Sequence, residues 1–295
     1  MTIQEAFDGF ILSRRLADLT PKTIEDYTSF VSPFVSFLGA DLPLSELTQD
    51  KINGYIEKLL EKPRSKATRA TYIRHIKTFL KWVSEENTVM YEYKRVRVPK
   101  TPKKRVKIYN EMELQKIFNN IHAESEWLTL RNKCIIALMY DSGLRQSEVC
   151  TLRRDRVSFD NKTMVVYGKG NKERTVPLGS FTMRFMREYL RLCPYKSDRI
   201  FVNRRGEPLT CNAVKLLVSK LSNELDFELS SHKLRHNFAT NYCIDQYEAR
   251  GNIDIYSLMI IMGHEEIETT ERYLHHAKEI ISTRNSISHL DKLFC

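Results

Sequence analysis

Met262-Gly263-His264-Glu265-Glu266-Ile267-Glu268-Thr269-Thr270-Glu271-Arg272-Tyr273 is a glycine turn followed by a short polar run that ends in a tyrosine. A helix over the run puts Tyr273 on the face that starts with Thr269 and Thr270, and leaves His264 on the turn before it. Alone, the stretch reads as a surface helix with a core tyrosine. Three stretches upstream change that reading. In Ser231-His232-Lys233-Leu234-Arg235-His236 a serine N-cap precedes a histidine and an arginine three apart on one helical face. In Ser142-Gly143-Leu144-Arg145-Gln146-Ser147-Glu148 an arginine stands just beyond a helix C-cap signal, and Gly168-Lys169-Gly170 carries a lysine on a turn.

Two arginines, two histidines, a lysine and a tyrosine are the parts needed to attack a phosphodiester without a metal. Negative charge builds on the non-bridging oxygens at the transition state, so fixed cations must already stand there. Guanidinium forks suit this role because they bind phosphate oxygens bidentately and keep their charge. In their chain order, Arg145, Lys169, His232-x-x-Arg235, Gly263-His264 and Tyr273, these boxes resemble the tyrosine recombinase (phage integrase) family, closest to its Xer-like members. The resemblance covers nearly all of the chain.

The resemblance implies a site-specific recombinase that cuts and rejoins DNA through a covalent 3′-phosphotyrosyl intermediate, for integration, excision, inversion or dimer resolution. It implies Tyr273 as nucleophile, Arg145, Arg235 and His264 on the phosphate, His232 as base, and Lys169 as acid for the leaving 5′ hydroxyl. No cofactor is expected, because the ester conserves the bond. The implied partners are double-stranded DNA with an inverted-repeat core site and further copies of the chain, as a tetramer on two sites. An accessory DNA-bending protein or a partner recombinase stays open. A type IB topoisomerase is a rival, and so is a non-catalytic DNA-binding regulator, which would usually have lost one of the six residues. The chain departs from the family pattern in a longer segment from Asn241 to Leu258. No additional N-terminal arm-binding domain of the lambda-like kind is expected.

His232 and His236 are four apart, as zinc ligands on a helix often are, but Lys233, Leu234 and Arg235 lie between them where a carboxylate would be needed. No metal is expected. His236 is expected to pack behind the site, and Glu148 to orient a cationic or histidine neighbour.

With 295 residues, 42% hydrophobic and 28% charged, the chain is long enough for two domains with cores of their own. The net charge of +10 favours an anionic partner such as nucleic acid, with a solvated basic surface as the alternative. The charge is concentrated: Lys62 to Lys81 holds Lys62, Arg64, Lys66, Arg69, Arg74, Lys77 and Lys81 and no acidic residue. The six cysteines contain no Cys-x-x-Cys pair and read as reduced thiols in a cytoplasmic protein, and the resemblance implies that it is bacterial or encoded by a phage or mobile element. The apolar run Cys134–Tyr140 falls far short of the roughly 20 residues that span a bilayer.

The expected fold is mainly α with a small antiparallel β-sheet, in two domains: residues 1–97 a helical core DNA-binding domain, 98–106 a basic linker, and 107–295 a mixed α/β catalytic domain with a C-terminal tail. Helix starts are marked by Thr20 before Pro21, by Thr48 and by Ser65. Ile24, Tyr27, Phe30, Val31, Phe34 and Phe37/Leu38 recur at helical spacing as core. On the fourth helix Tyr72, Ile73, Ile76, Phe79, Leu80 and Val83 form the apolar face. Lys66, Arg69, Arg74, Lys77 and Lys81, with Lys103, Lys104 and Arg105 of the linker, are the candidate DNA contacts. Val157–Phe159, Thr163–Tyr167 and Arg174–Pro177 read as the sheet, with residues 168–172 as a hairpin tip.

In the tail, Leu274–Cys295, the set Ile280, Ile281, Ile287, Leu290, Leu293 and Phe294 is too apolar to leave in water. Burying four of them contributes roughly 6–10 kcal/mol. Docking in trans into a neighbouring subunit is what the resemblance implies. Folding back on its own domain is the alternative.

Overall fold

Thr2 opens the first helix with a reciprocal cap: its hydroxyl accepts the Glu5 backbone N–H at 3.2 Å, and the Glu5 carboxylate accepts the Thr2 N–H at 2.8 Å. The computed structural model describes residues 1–101, 106–168, 172–284 and 286. The chain divides into two compact units, Met1–Lys104 and Arg105–Cys295.

The first unit holds α1 (Ile3–Leu16), α2 (Pro21–Leu38), α3 (Gln49–Glu61) and α4 (Lys66–Glu86). Thr20, Thr48 and Ser65 each accept a backbone N–H from the third residue on, so the expected starts of α2, α3 and α4 are observed. The core gathers Phe7, Phe10, Val31, Phe34, Ile52, Ile73, Ile76, Phe79, Leu80 and Val83. Phe37 departs from expectation. At 38% exposure it lies on the rim of this core, while Leu38 packs against it.

The basic face of α4 is not uniform. Lys66, Arg74 and Lys81 are exposed, Lys81 with Glu85 3.5 Å away. Arg69 instead donates to the Leu60 carbonyl at 3.1 Å, and Lys77 to the Val96 carbonyl at 2.8 Å. Those two side chains brace the unit's own backbone, because carbonyls left over at helix ends need donors. Lys103, Lys104 and Arg105 lie outside the described residues.

The second unit runs α5 (Glu111–Asn119), α6 (Glu126–Asp141), α7 (Gln146–Thr151), β1 (Val157–Ser158), β2 (Thr163–Tyr167), β3 (Glu173–Pro177), α8 (Ser180–Leu192), α9 (Cys211–Glu224), α10 (Ser231–Arg250), α11 (Ile255–Met262) and α12 (Glu268–Arg284). Residues 134–139 of α6 are almost fully buried, and this part of the helix is apolar on every side. It packs on α8 and α10. The sheet is antiparallel in the order β1-β2-β3, with Met164 opposite Val176 and Val166 opposite Arg174. Met164, Val166 and Val176 point into the core, as the alternation of a half-buried strand requires.

A second, smaller cluster holds Phe238, Ala239, Cys243, Leu258, Met262, Tyr273, Ala277 and Ile281, where α12 packs on α10 and α11. Ile281 is 7% exposed within it and Ile280 packs against it. The first part of the tail therefore folds back on its own domain, against the expectation that the whole apolar set seeks another subunit. Ile287, Leu290, Leu293 and Phe294 lie outside the described residues. No described helix is long and apolar enough to cross a membrane.

Candidate active site

The end of α6 positions the first arginine. Gly143 has φ 63°, the left-handed conformation that stops a helix, and the chain turns there into α7 with Arg145 as its N-cap. Three residues on, Glu148 reaches back and accepts the Arg145 backbone N–H at 2.7 Å and its Nη1 at 2.8 Å. The other nitrogen, Nη2, donates to the Gly263 carbonyl at 2.9 Å.

Glu148 is 1% exposed and carries a second cation. Arg174 of β3 donates Nη1 and Nη2 to its two oxygens, both at 2.8 Å, and Nε to the Ile261 carbonyl at 2.7 Å. Burial alone would push the Glu148 carboxyl up. The hydrogen bonds and charges of Arg174 and Arg145 outweigh it and hold the carboxyl below its ordinary range.

Arg235 stands on the first turns of α10, whose N-cap is Ser230 and not Ser231 as expected, with the Ser230 hydroxyl accepting the Lys233 N–H. It is 6% exposed and donates to the carbonyls of Gly143 and Met262, the two ends of the turns that carry Arg145 and His264. Burial, then the charge of Arg145, push its guanidinium down to about 10, still fully charged near neutral pH.

His264 follows the left-handed Gly263 and is fixed from both sides. Its Nδ1 pairs with the buried Thr270 hydroxyl at 2.8 Å, and Nε2 lies 3.4 Å from Arg235 Nη2. Because a guanidinium only donates, Nε2 accepts and Nδ1 carries the proton. Burial first, then the charges of Arg235 and Arg145, push its pKa down to about 4, so the imidazole is neutral at pH 7.

Tyr273 is 1% exposed. Its ring stacks on His264 at 6.0 Å between centroids and meets His236 edge-on at 4.8 Å. Its hydroxyl accepts from Arg272 Nη2 at 2.9 Å. His236 is 7% exposed, with Nδ1 3.3 Å from the Thr240 hydroxyl, and packs behind the tyrosine as the sequence suggests. Burial, then the neighbouring His276 and His232, push it down to about 4. His232 lies on the exposed edge, 6.4 Å from the His236 ring. Desolvation, then Arg272 and Arg235, lower its pKa.

A cleft of about 600 Å³ opens beside these residues, lined by Arg145, Lys172, Arg174, Gly263, His264 and Thr269. Of the six expected site residues, Arg145, Arg235, His264 and Tyr273 converge at the Gly263 turn, and His232 lies at its margin. Lys169 lies outside the described residues. Two participants were missed in the sequence, Arg174 and Arg272. Arg174 left a signal: it shares the inward parity of β3 with Val176, and a cation on the buried side of a strand demands a partner. Arg272 left none, since an arginine beside a tyrosine on a polar helix is an ordinary surface residue.

Comparison with known proteins places the chain in a family. The Phage integrase family pattern matches residues 107–279, and the phage integrase N-terminal SAM-like domain matches residues 7–88. The tyrosine recombinase XerC of Bacillus pumilus is 29% identical over 287 residues, covering 92% of this chain and 91% of the relative. That of Bacillus subtilis is 27% identical over 286 residues, covering 92% and 91%. Among solved structures, the fold is similar to XerH recombinase bound to a palindromic difH substrate, with a TM-score of 0.72 at 23% identity over 90% of this chain and 79% of that one. It is also similar to a lambda integrase dimer bound to a core site, with a TM-score of 0.73 at 17% identity over 92% and 77%. With more than half of its length matched by the family pattern, the chain belongs to the phage integrase family of tyrosine site-specific recombinases.

Proposed function

We propose that this recombinase cuts and rejoins double-stranded DNA with Tyr273 as nucleophile. The observation that carries the reading is the convergence of Arg145, Arg235 and His264 on the Gly263 turn, against which the Tyr273 ring is stacked. A scissile phosphate in the cleft would be met by Arg145, which lines it, and by Arg235 once that guanidinium gives up the Gly143 and Met262 carbonyls, and its charge would favour protonation of His264 Nε2, turning that atom into a third donor. The tyrosine oxygen forms the new bond to phosphorus as the bond to the 5′ oxygen breaks. His232, neutral at pH 7, takes the phenol proton, and Lys169 supplies one to the departing 5′ hydroxyl. The 3′-phosphotyrosyl ester is then open to a second DNA hydroxyl. In the structure the Tyr273 hydroxyl is held by Arg272 and is buried, so attack requires it to leave that contact.

The DNA is a duplex with an inverted-repeat core site, gripped by Lys66, Arg74 and Lys81 of α4, and the working assembly is a tetramer on two such sites, in the cytoplasm. Nicking and resealing by a topoisomerase is disfavoured, since the similar proteins are recombinases. A nicked suicide duplex run on a denaturing gel tests the assignment. The wild type should leave a slow-migrating covalent adduct and Tyr273→Phe should bind DNA without one. An adduct from the variant overturns the nucleophile.

A further inference from the structure

Arg174 is a firmly held cation of the second unit that the proposed chemistry does not use. Its side chain is 7% exposed and each of its three guanidinium nitrogens donates a bond, two to the Glu148 carboxylate and one to the Ile261 carbonyl. Gly263 lies against it, with space so tight that a Cβ there would stand 3.0 Å from Arg174 Cδ and Nη1. One guanidinium thus joins β3 to the start of α7, which carries Arg145, and to the end of α11, which leads into His264.

Charge gives the arrangement its consequence. Glu148 touches both arginines, 2.8 Å from each. A bidentate, buried partner satisfies a carboxylate far better than a half-exposed one, and the Arg145 side chain is 33% exposed. With Arg174 in place the Glu148 charge is answered inside the protein, so the positive charge of Arg145 remains for the cleft. Without it, the buried carboxylate and an incoming phosphate would compete for the same fork.

We infer that Arg174 is a positioning residue of the recombination reaction, which neutralises Glu148 and thereby keeps Arg145 available to the scissile phosphate while fixing the turn that presents His264. The inference rests on the assignment of Arg145 to the phosphate. A plain stabilising ion pair would occupy the same geometry, and the two differ in what removal of the Glu148 charge does next.

The experiment measures single-turnover cleavage of the suicide duplex, with gel-shift affinity and thermal unfolding recorded for each variant. Arg174→Met should cleave about 10²-fold more slowly with affinity changed less than about threefold. Adding Glu148→Gln should recover about tenfold of that loss, because the amide still accepts from Arg145 without competing for its charge. A double variant no faster than Arg174→Met overturns the inference, since a brace cannot be mended by removing its other half. If Arg174→Met does not fold, Arg174→Lys takes its place: it keeps the charge and loses the fork, so cleavage should fall about tenfold at unchanged affinity, and a wild-type rate overturns the inference. Arg145→Ala separates the two levels. Cleavage at the wild-type rate in that variant would remove the phosphate assignment itself, whereas a large loss there with no effect at Arg174 removes only the present inference.

Discussion

The guanidinium of Arg174 lies on the face of Gly263: a methyl group at that position would stand 3.0 Å from Cδ and Nη1 and 3.1 Å from Cζ. Gly263 also has φ 60°. Glycine is needed there for two reasons, the left-handed turn and the space above it.

Gly263→Ala should therefore lose about 1–3 kcal/mol of stability, of which roughly 1–2 kcal/mol is the left-handed backbone and the rest the displaced arginine. Cleavage should fall more than stability alone explains, because His264 and the carbonyl that holds Arg145 sit on the same turn. Urea unfolding and suicide-duplex cleavage check this. Wild-type values in both would mean that the contact is slack.

Acid should weaken the fold in a defined window. His236 and His264 are both pushed down to about 4, whereas a histidine in the unfolded chain titrates near about 6.5. Between those values the unfolded chain binds protons that the folded chain refuses, so their contribution is complete above about pH 6.5 and is lost as the pH falls towards about 4. Glu148, held below its ordinary range, adds a loss that begins lower, as its carboxylate becomes protonated. The thermal midpoint should fall steadily from pH 7 to pH 4.5, and His236→Asn should flatten that fall. A midpoint independent of pH over this range would contradict the burial of both imidazoles.

Salt dependence should sort the basic face of α4. Arg74 and Lys66 are exposed, so replacing either by Ala should lower the slope of log affinity against log salt by nearly one unit. Lys77 donates to the Val96 carbonyl, and Lys77→Ala should lower the melting temperature while leaving the slope unchanged. A slope that drops for Lys77 and holds for Arg74 would reverse the assignment.

Truncation before Asn285 keeps Ile281 in the cluster behind Tyr273 and removes Ile287, Leu290, Leu293 and Phe294. If those four dock in trans, the shortened protein should bind a single site normally but lose cooperativity on a two-site duplex and lose recombination. Gel-shift titration reads this directly, and undiminished cooperativity would confine the tail to its own subunit.

The order of the boxes was legible in the sequence because the chemistry demands particular side chains. Arginine, histidine and tyrosine have few substitutes in the metal-free phosphate chemistry proposed for Arg145, Arg235, His264 and Tyr273, and local start and stop signals, Thr20, Thr48 and Ser65 in the first unit and Gly143 in the second, mark several helices. The mixed architecture was equally legible, since strand alternation and helical periodicity are properties of neighbouring residues. What the sequence could not reveal was which cations face outward. Lys77 and Arg74 look alike on a helical wheel, yet one meets a carbonyl nineteen residues away and the other meets solvent. Arg174 and Glu148 are twenty-six residues apart, and their bidentate pairing exists only because β3 and α7 are brought against the end of α11. Local sequence determined the parts and their elements. Only the tertiary structure decided how the charges are shared, because a hydrogen bond depends on the distance and direction between groups, and for groups far apart in the chain these are set by packing.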